Sequence, residues 1–73
     1  MTDSKETMAE ALFEDVFEDL MDLCLEHPLS VAEISRSSGL ARETVQRVFD
    51  RRPVYIKSLY KLKRWIDSFD FQG

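Results

Sequence analysis

The chain has 73 residues, of which 44% are hydrophobic and 33% charged, and a formal net charge of -4. A chain this short holds one domain with an economical core, since it buries only about 60% of its unfolded surface, and its composition fits a globular fold better than a disordered tail. Its one cysteine, Cys24, excludes an internal disulfide and the paired cysteines of zinc fingers, and no apolar run approaches the roughly 20 residues of a membrane span.

Residues 1–6 read as a flexible N-terminus and residues 7–73 as a single domain. The opening Thr2-Asp3-Ser4-Lys5-Glu6 is polar and acidic, unlike a secretory or mitochondrial presequence, so a reduced cytoplasmic (or nucleoid-associated) setting is expected. The spacing predicts a first helix over residues 7–27, ended by Pro28, which disfavours helical geometry in the residue before it. Ala9, Leu12, Phe13, Val16, Phe17, Leu20, Met21, Leu23 and Cys24 share one side of it. The carboxylates of Glu10, Glu14, Asp15, Glu18, Asp19, Asp22 and Glu26 share the other. The apolar side is wider than the stripe of about 100° that a single core requires, so this helix is expected to face two surfaces.

Ser30 followed by Glu33 forms a capping box, which starts a second helix at Val31, and Gly39 stops it after Ser38 by offering a left-handed residue. Helical spacing resumes over residues 42–51 with Val45, Val48 and Phe49 inward, until Pro53 interrupts the chain. Over residues 55–69 the set Ile56, Leu59, Tyr60, Leu62, Trp65, Ile66 and Phe69 predicts a last amphipathic helix, with Lys63 an intruder on its apolar side. The fold class is therefore all-α, a compact bundle of about four helices.

Residues 31–50 meet the description of a helix-turn-helix: two short helices, a tight glycine-bearing turn, and a second helix able to enter a DNA major groove. Ile34, Leu40, Val45 and Val48 are its apolar pegs, and Ser35 is small enough for close helix approach. With Val45 and Val48 inward, Arg42, Glu43, Gln46 and Arg47 point away from the core. Arginine can donate two bonds to guanine, glutamine can pair with adenine, and glutamate can accept from cytosine, so these four are the expected base readers, Gln46 and Arg47 foremost, with a phosphate grip the alternative for Arg42.

The unit resembles the helix-turn-helix of the phage-repressor (Cro-like) family, many of whose members carry Ala where Ser35 stands. The stretch Ser58-Leu59-Tyr60-Lys61-Leu62-Lys63-Arg64-Trp65-Ile66 is similar to that family's next helix, extending the likeness over residues 29–67. Thr44-Val45-Gln46-Arg47-Val48 is also similar to the lactose-repressor family, whose hinge and sugar-binding domain have no counterpart in this sequence. Two positions depart from the repressor pattern: Val31 replaces a phosphate-contacting Gln, and Ala41 replaces a capping Ser or Thr. The resemblance implies a sequence-specific, double-stranded DNA-binding transcriptional regulator, most simply a repressor. It also implies phosphate contacts from Ser30, Arg51, Arg52, Lys57 and Lys61.

Charge supports a polyanion partner in spite of the negative total. Residues 1–35 carry ten acids against one base, whereas residues 36–66 carry nine bases against Glu43 and Asp50. The acidic first helix must then face away from DNA or toward a basic partner, and the alternative function is an antitoxin-like or inhibitor module that binds such a partner. DNA mimicry by the acidic face is disfavoured by the basic half. The C-terminal aromatics Trp65, Phe69 and Phe71 exceed what a small core absorbs, so they are the expected homodimer interface. Cys24 reads as a small buried hydrophobe. One His and one Cys make no metal site, the carboxylates lie on an open helix face rather than in a pocket, and neither a cofactor nor enzymatic activity is expected.

Overall fold

Phe13, Val16, Leu20 and Leu23 recur at helical spacing and all four are buried, which defines the inner face of the first helix. In the computed structural model, which describes residues 10–69, α1 (Glu10–Glu26) is followed by α2 (Val31–Ser38), α3 (Arg42–Phe49) and α4 (Ile56–Ser68), with no strand among the described residues. The protein is an all-α bundle. The expected flexible N-terminus, the first residues of the predicted first helix and Phe71 lie outside the described residues.

α1 packs lengthwise on α4, whose buried residues are Leu59, Leu62 and Ile66. Ile34 from α2, Leu40 from the turn, Val45 and Val48 from α3 and Val54 from the following loop complete the core. The wide apolar side of α1 is largely used within the chain, since Leu12, Phe17, Met21 and Cys24 lie partly buried against that same core. Lys63, partly buried on α4, brings its ammonium within 3.7 Å of Asp19 on α1, so its charge is paired at a solvent-accessible place.

The boundaries of α2 are chemical. Ser30 Oγ accepts the Glu33 amide at 3.1 Å, and Glu33 Oε1 accepts the Ser30 amide at 2.9 Å, a complete capping box. At the other end Gly39 takes φ 82 and donates its amide to the Ser35 carbonyl at 2.9 Å. Ser35 Oγ donates to the Leu40 carbonyl at 2.6 Å, and Ser38 Oγ accepts the Leu40 amide at 3.2 Å, so two hydroxyls hold the turn that joins α2 to α3.

Two sequence expectations shift. The third helix ends at Phe49 rather than residue 51, because Arg51 adopts a left-handed conformation, φ 60, that closes the helix. Tyr60, grouped by periodicity with the inner face of the last helix, is instead 57% exposed. The core-facing arc of α4 is narrower than the apolar set suggests, and Tyr60 sits outside it.

Candidate nucleic-acid interface

α3 has two unlike sides. Val45 and Val48 are fully or almost fully buried, while Arg42, Glu43, Gln46 and Arg47 are all exposed. The helix is only eight residues long and carries a net charge of one positive on this outer side, so the structure sets the four expected base readers together on one short solvent-facing surface. They are not independent of each other or of their neighbours. Glu43 Oε2 accepts from Arg47 Nη2 at 3.3 Å, and Asp50 Oδ1 accepts from Gln46 Nε2 at 3.4 Å, each pair one helical turn apart. With side chains about half or more exposed in the Arg47–Glu43 pair, solvent screens it and the arginine is easily released to a better acceptor.

The N-terminus of α3 is chemically open. Ala41 stands at the cap position with extended backbone and no side-chain hydrogen bond, so the first-turn amides of α3 have no protein cap.

The residues expected to grip phosphates divide into three groups. Arg52 and Lys57 are exposed, flanking Pro53 and the start of α4. Lys61 is exposed too, but it leans back on the interhelical turn, where a β-carbon at Gly39 would meet its Nζ at 3.7 Å. There the ammonium complements the negative end of α2. Ser30 spends its amide and one lone pair of its hydroxyl on Glu33, whose carboxylate makes the start of α2 less hospitable to an anion. Arg51 is exposed as well, but it is engaged with α1. Its Nη2 donates to Glu14 Oε2 at 2.7 Å, and its guanidinium carbon lies 4.4 Å from the centroid of the Phe17 ring.

Tyr55, 63% exposed at the N-cap of α4, and Tyr60 join Arg52, Lys57, Lys61 and Arg64 on or beside the outer side of that helix. Sequence reading counted the bases but missed the tyrosines. Their interleaving with Lys57, Lys61 and Arg64 was the available signal, because aromatic phenols among exposed cations suit a nucleic-acid backbone.

The other described features are weaker as sites. Trp65 Nε1 donates to Ser37 Oγ at 3.2 Å, and Phe69 packs edge-on against Trp65 with centroids 5.4 Å apart and tilted against His27 at 5.2 Å. These two aromatics of the expected dimer surface are therefore half-buried on their own chain, with Leu29, Arg36 and Ser37 around them. Burial pushes the Cys24 thiol above its ordinary value, as suits a packed residue. No group of His, Cys, Asp and Glu among the described residues could hold a metal ion, and no described helix is long and apolar enough to cross a membrane.

Comparison with known proteins yields no significant match to any family model, curated protein or solved structure.

Proposed function

We propose that the protein binds double-stranded DNA sequence-specifically and regulates transcription, with α2, the Gly39 turn and α3 acting as a helix-turn-helix and α3 as the reading helix. The observation that carries this reading is the division of α3: two buried valines on one side, and Arg42, Glu43, Gln46 and Arg47 exposed together on the other. Those side chains match the donor and acceptor patterns of guanine, adenine and cytosine edges. Arg52, Lys57 and Lys61 would lie along the phosphates and set register without reading sequence. Repression by occupancy of an operator is the simplest outcome for a chain this small, and a homodimer would double the contact area that one module offers. Such a protein would act in the cytoplasm, on the nucleoid.

The resemblance of residues 29–67 to phage repressors points the same way. The test is binding to duplexes selected from a random pool. Enrichment of one motif, with affinity that falls steeply with salt, supports the reading, and equal salt-insensitive retention of all sequences overturns it.

A second reading rests on α1. Of its seven carboxylates only Glu14 and Asp19 pair with a cation among the described residues, and Leu25 beside them is 80% exposed. A protein-interaction module that binds a basic partner through this face would give a stable protein complex with no affinity for duplex DNA.

A further inference from the structure

Helices that end on a left-handed residue ordinarily place glycine there, because a β-carbon strains that conformation. α2 follows the rule with Gly39. α3 does not. Its last turn closes as a Schellman motif, in which the Arg52 amide donates to the Arg47 carbonyl at 2.7 Å and the Arg51 amide to the Val48 carbonyl at 3.1 Å. The left-handed position between them is Arg51, the one non-glycine residue with positive φ among those described.

A strained arginine in a glycine position needs a compensating contact, and the side chain has two. Its guanidinium binds Glu14 at 2.7 Å and covers the Phe17 ring at 4.4 Å, three residues further along α1. Phe17 stacks at 6.0 Å on Phe13, which is buried in the core. The chain of contact therefore runs from the final turn of α3 through one side chain into the centre of α1. The opposite end of α3 is held to α2 by the Ser35–Leu40 bond.

We propose that Arg51 is a strut that fixes the C-terminal end of α3 on α1, and is a positioning residue for the reading helix rather than a phosphate ligand. Its charge is already matched by Glu14, and its place at the end of α3 fixes the angle at which the outer side of that helix is presented. The functional half of this statement rests on the DNA-binding reading; the structural half does not.

The experiment uses the full chain with R51G, R51E, E14R and the charge-swapped pair E14R/R51E. Glycine suits φ 60, so R51G keeps the fold while removing the strut. Hydrogen exchange of the backbone amides at positions 50, 51 and 52, which close α3, should quicken by about three- to ten-fold in R51E, the scale of an exposed ion pair plus a cation–π contact, whereas in R51G the relief of left-handed strain offsets that loss. Exchange should return toward the wild-type rate in the swapped pair. On DNA, R51G should lower the ratio of cognate to random affinity while leaving the salt slope unchanged, and the swapped pair should regain that ratio. Unchanged exchange in R51E overturns the strut. A salt slope shallower by about one in R51G, with no recovery in the swapped pair, overturns it in favour of a phosphate contact. Should the wild type bind no duplex, the DNA-binding reading falls and the exchange rates still decide the strut.

Discussion

Arg47 and Gln46 differ from Arg52 and Lys57 in what surrounds them, and under the proposed function that difference would separate reading from gripping. The first two stand on the outer side of α3 in weak pairs with Glu43 and Asp50, while the others are exposed cations at the loop and start of α4. Arg47→Ala or Gln46→Ala should cost about 1 to 3 kcal/mol on the cognate site and relax preference at one base position. Arg52→Ala or Lys57→Ala should weaken all duplexes alike, and competition titrations with cognate and random DNA distinguish the two patterns. Equal loss on both for Arg47→Ala removes it from the reading set. Cys24 supplies a residue-scale check on packing. Burial raises its thiol above the ordinary value of 9.0, so the folded state holds the proton more tightly than the unfolded one. The thiol's contribution to stability is thus complete below the unfolded value and declines as pH rises through the folded one. Maleimide labelling near neutral pH should be slow in the native protein and fast in urea; equal rates would mean that the thiol is not shielded.

The ends of the helices are where local chemistry and tertiary contact can be told apart. Removing the capping box by Ser30→Ala should cost about 0.5 to 2 kcal/mol, since it leaves the Glu33 amide without its acceptor. Ala41→Ser should do the reverse at the uncapped start of α3, raising the melting temperature by about 4 to 8 °C if the new cap contributes roughly 1 kcal/mol. Thermal melts of the two variants test both, and a lower melting temperature for Ala41→Ser would show that the cap geometry at residue 41 is not realised. Both boundaries of α2 are legible in the sequence because each carries a local signal, Ser30 with Glu33 and then Gly39, and the uncapped start of α3 follows from the apolar pegs at helical spacing. The exception is the end of α3. Pro53 bounds α3 only to within a few residues, an arginine does not announce a left-handed stop at residue 51, and the contact that holds it comes from Glu14, 37 positions away. That also explains the fate of the candidate site. The outer side of α3 follows from periodicity alone, but the pairing of Arg51 with Glu14 depends on α1, and the exposure of Tyr60 depends on how α4 is rotated against α1.

At the scale of the whole molecule, charge is sorted by element. α1 carries only acids, while α3, the loop after it and α4 carry most of the bases, and among the described residues the two signs pair between elements only at Glu14–Arg51 and Asp19–Lys63. A duplex approached by α3 would thus meet the basic part of a protein that is acidic overall. If Arg52, Lys57 and Lys61 neutralise about three phosphates per subunit, the logarithm of affinity should fall with the logarithm of salt at a slope of about -2.7 per subunit. One module of this size offers a limited DNA contact, so affinity in the range of known regulators calls for two copies on an inverted repeat. Two reading helices related by a two-fold axis fit successive major grooves when the half-site centres lie roughly 34 to 36 Å apart. The described aromatics Trp65 and Phe69 are spent in part on Ser37 and His27 of their own chain and are only partly exposed beside Leu29; a dimer built on them would bury what remains of that surface. Sedimentation at micromolar concentration should show a dimer, and its per-complex salt slope on a full operator should be near twice that of a half-site. Phe69→Asp should yield a monomer that still melts cooperatively. A variant that remains dimeric moves the interface to the surplus apolar surface of α1, and a wild-type monomer that protects only one half-site overturns the two-fold arrangement.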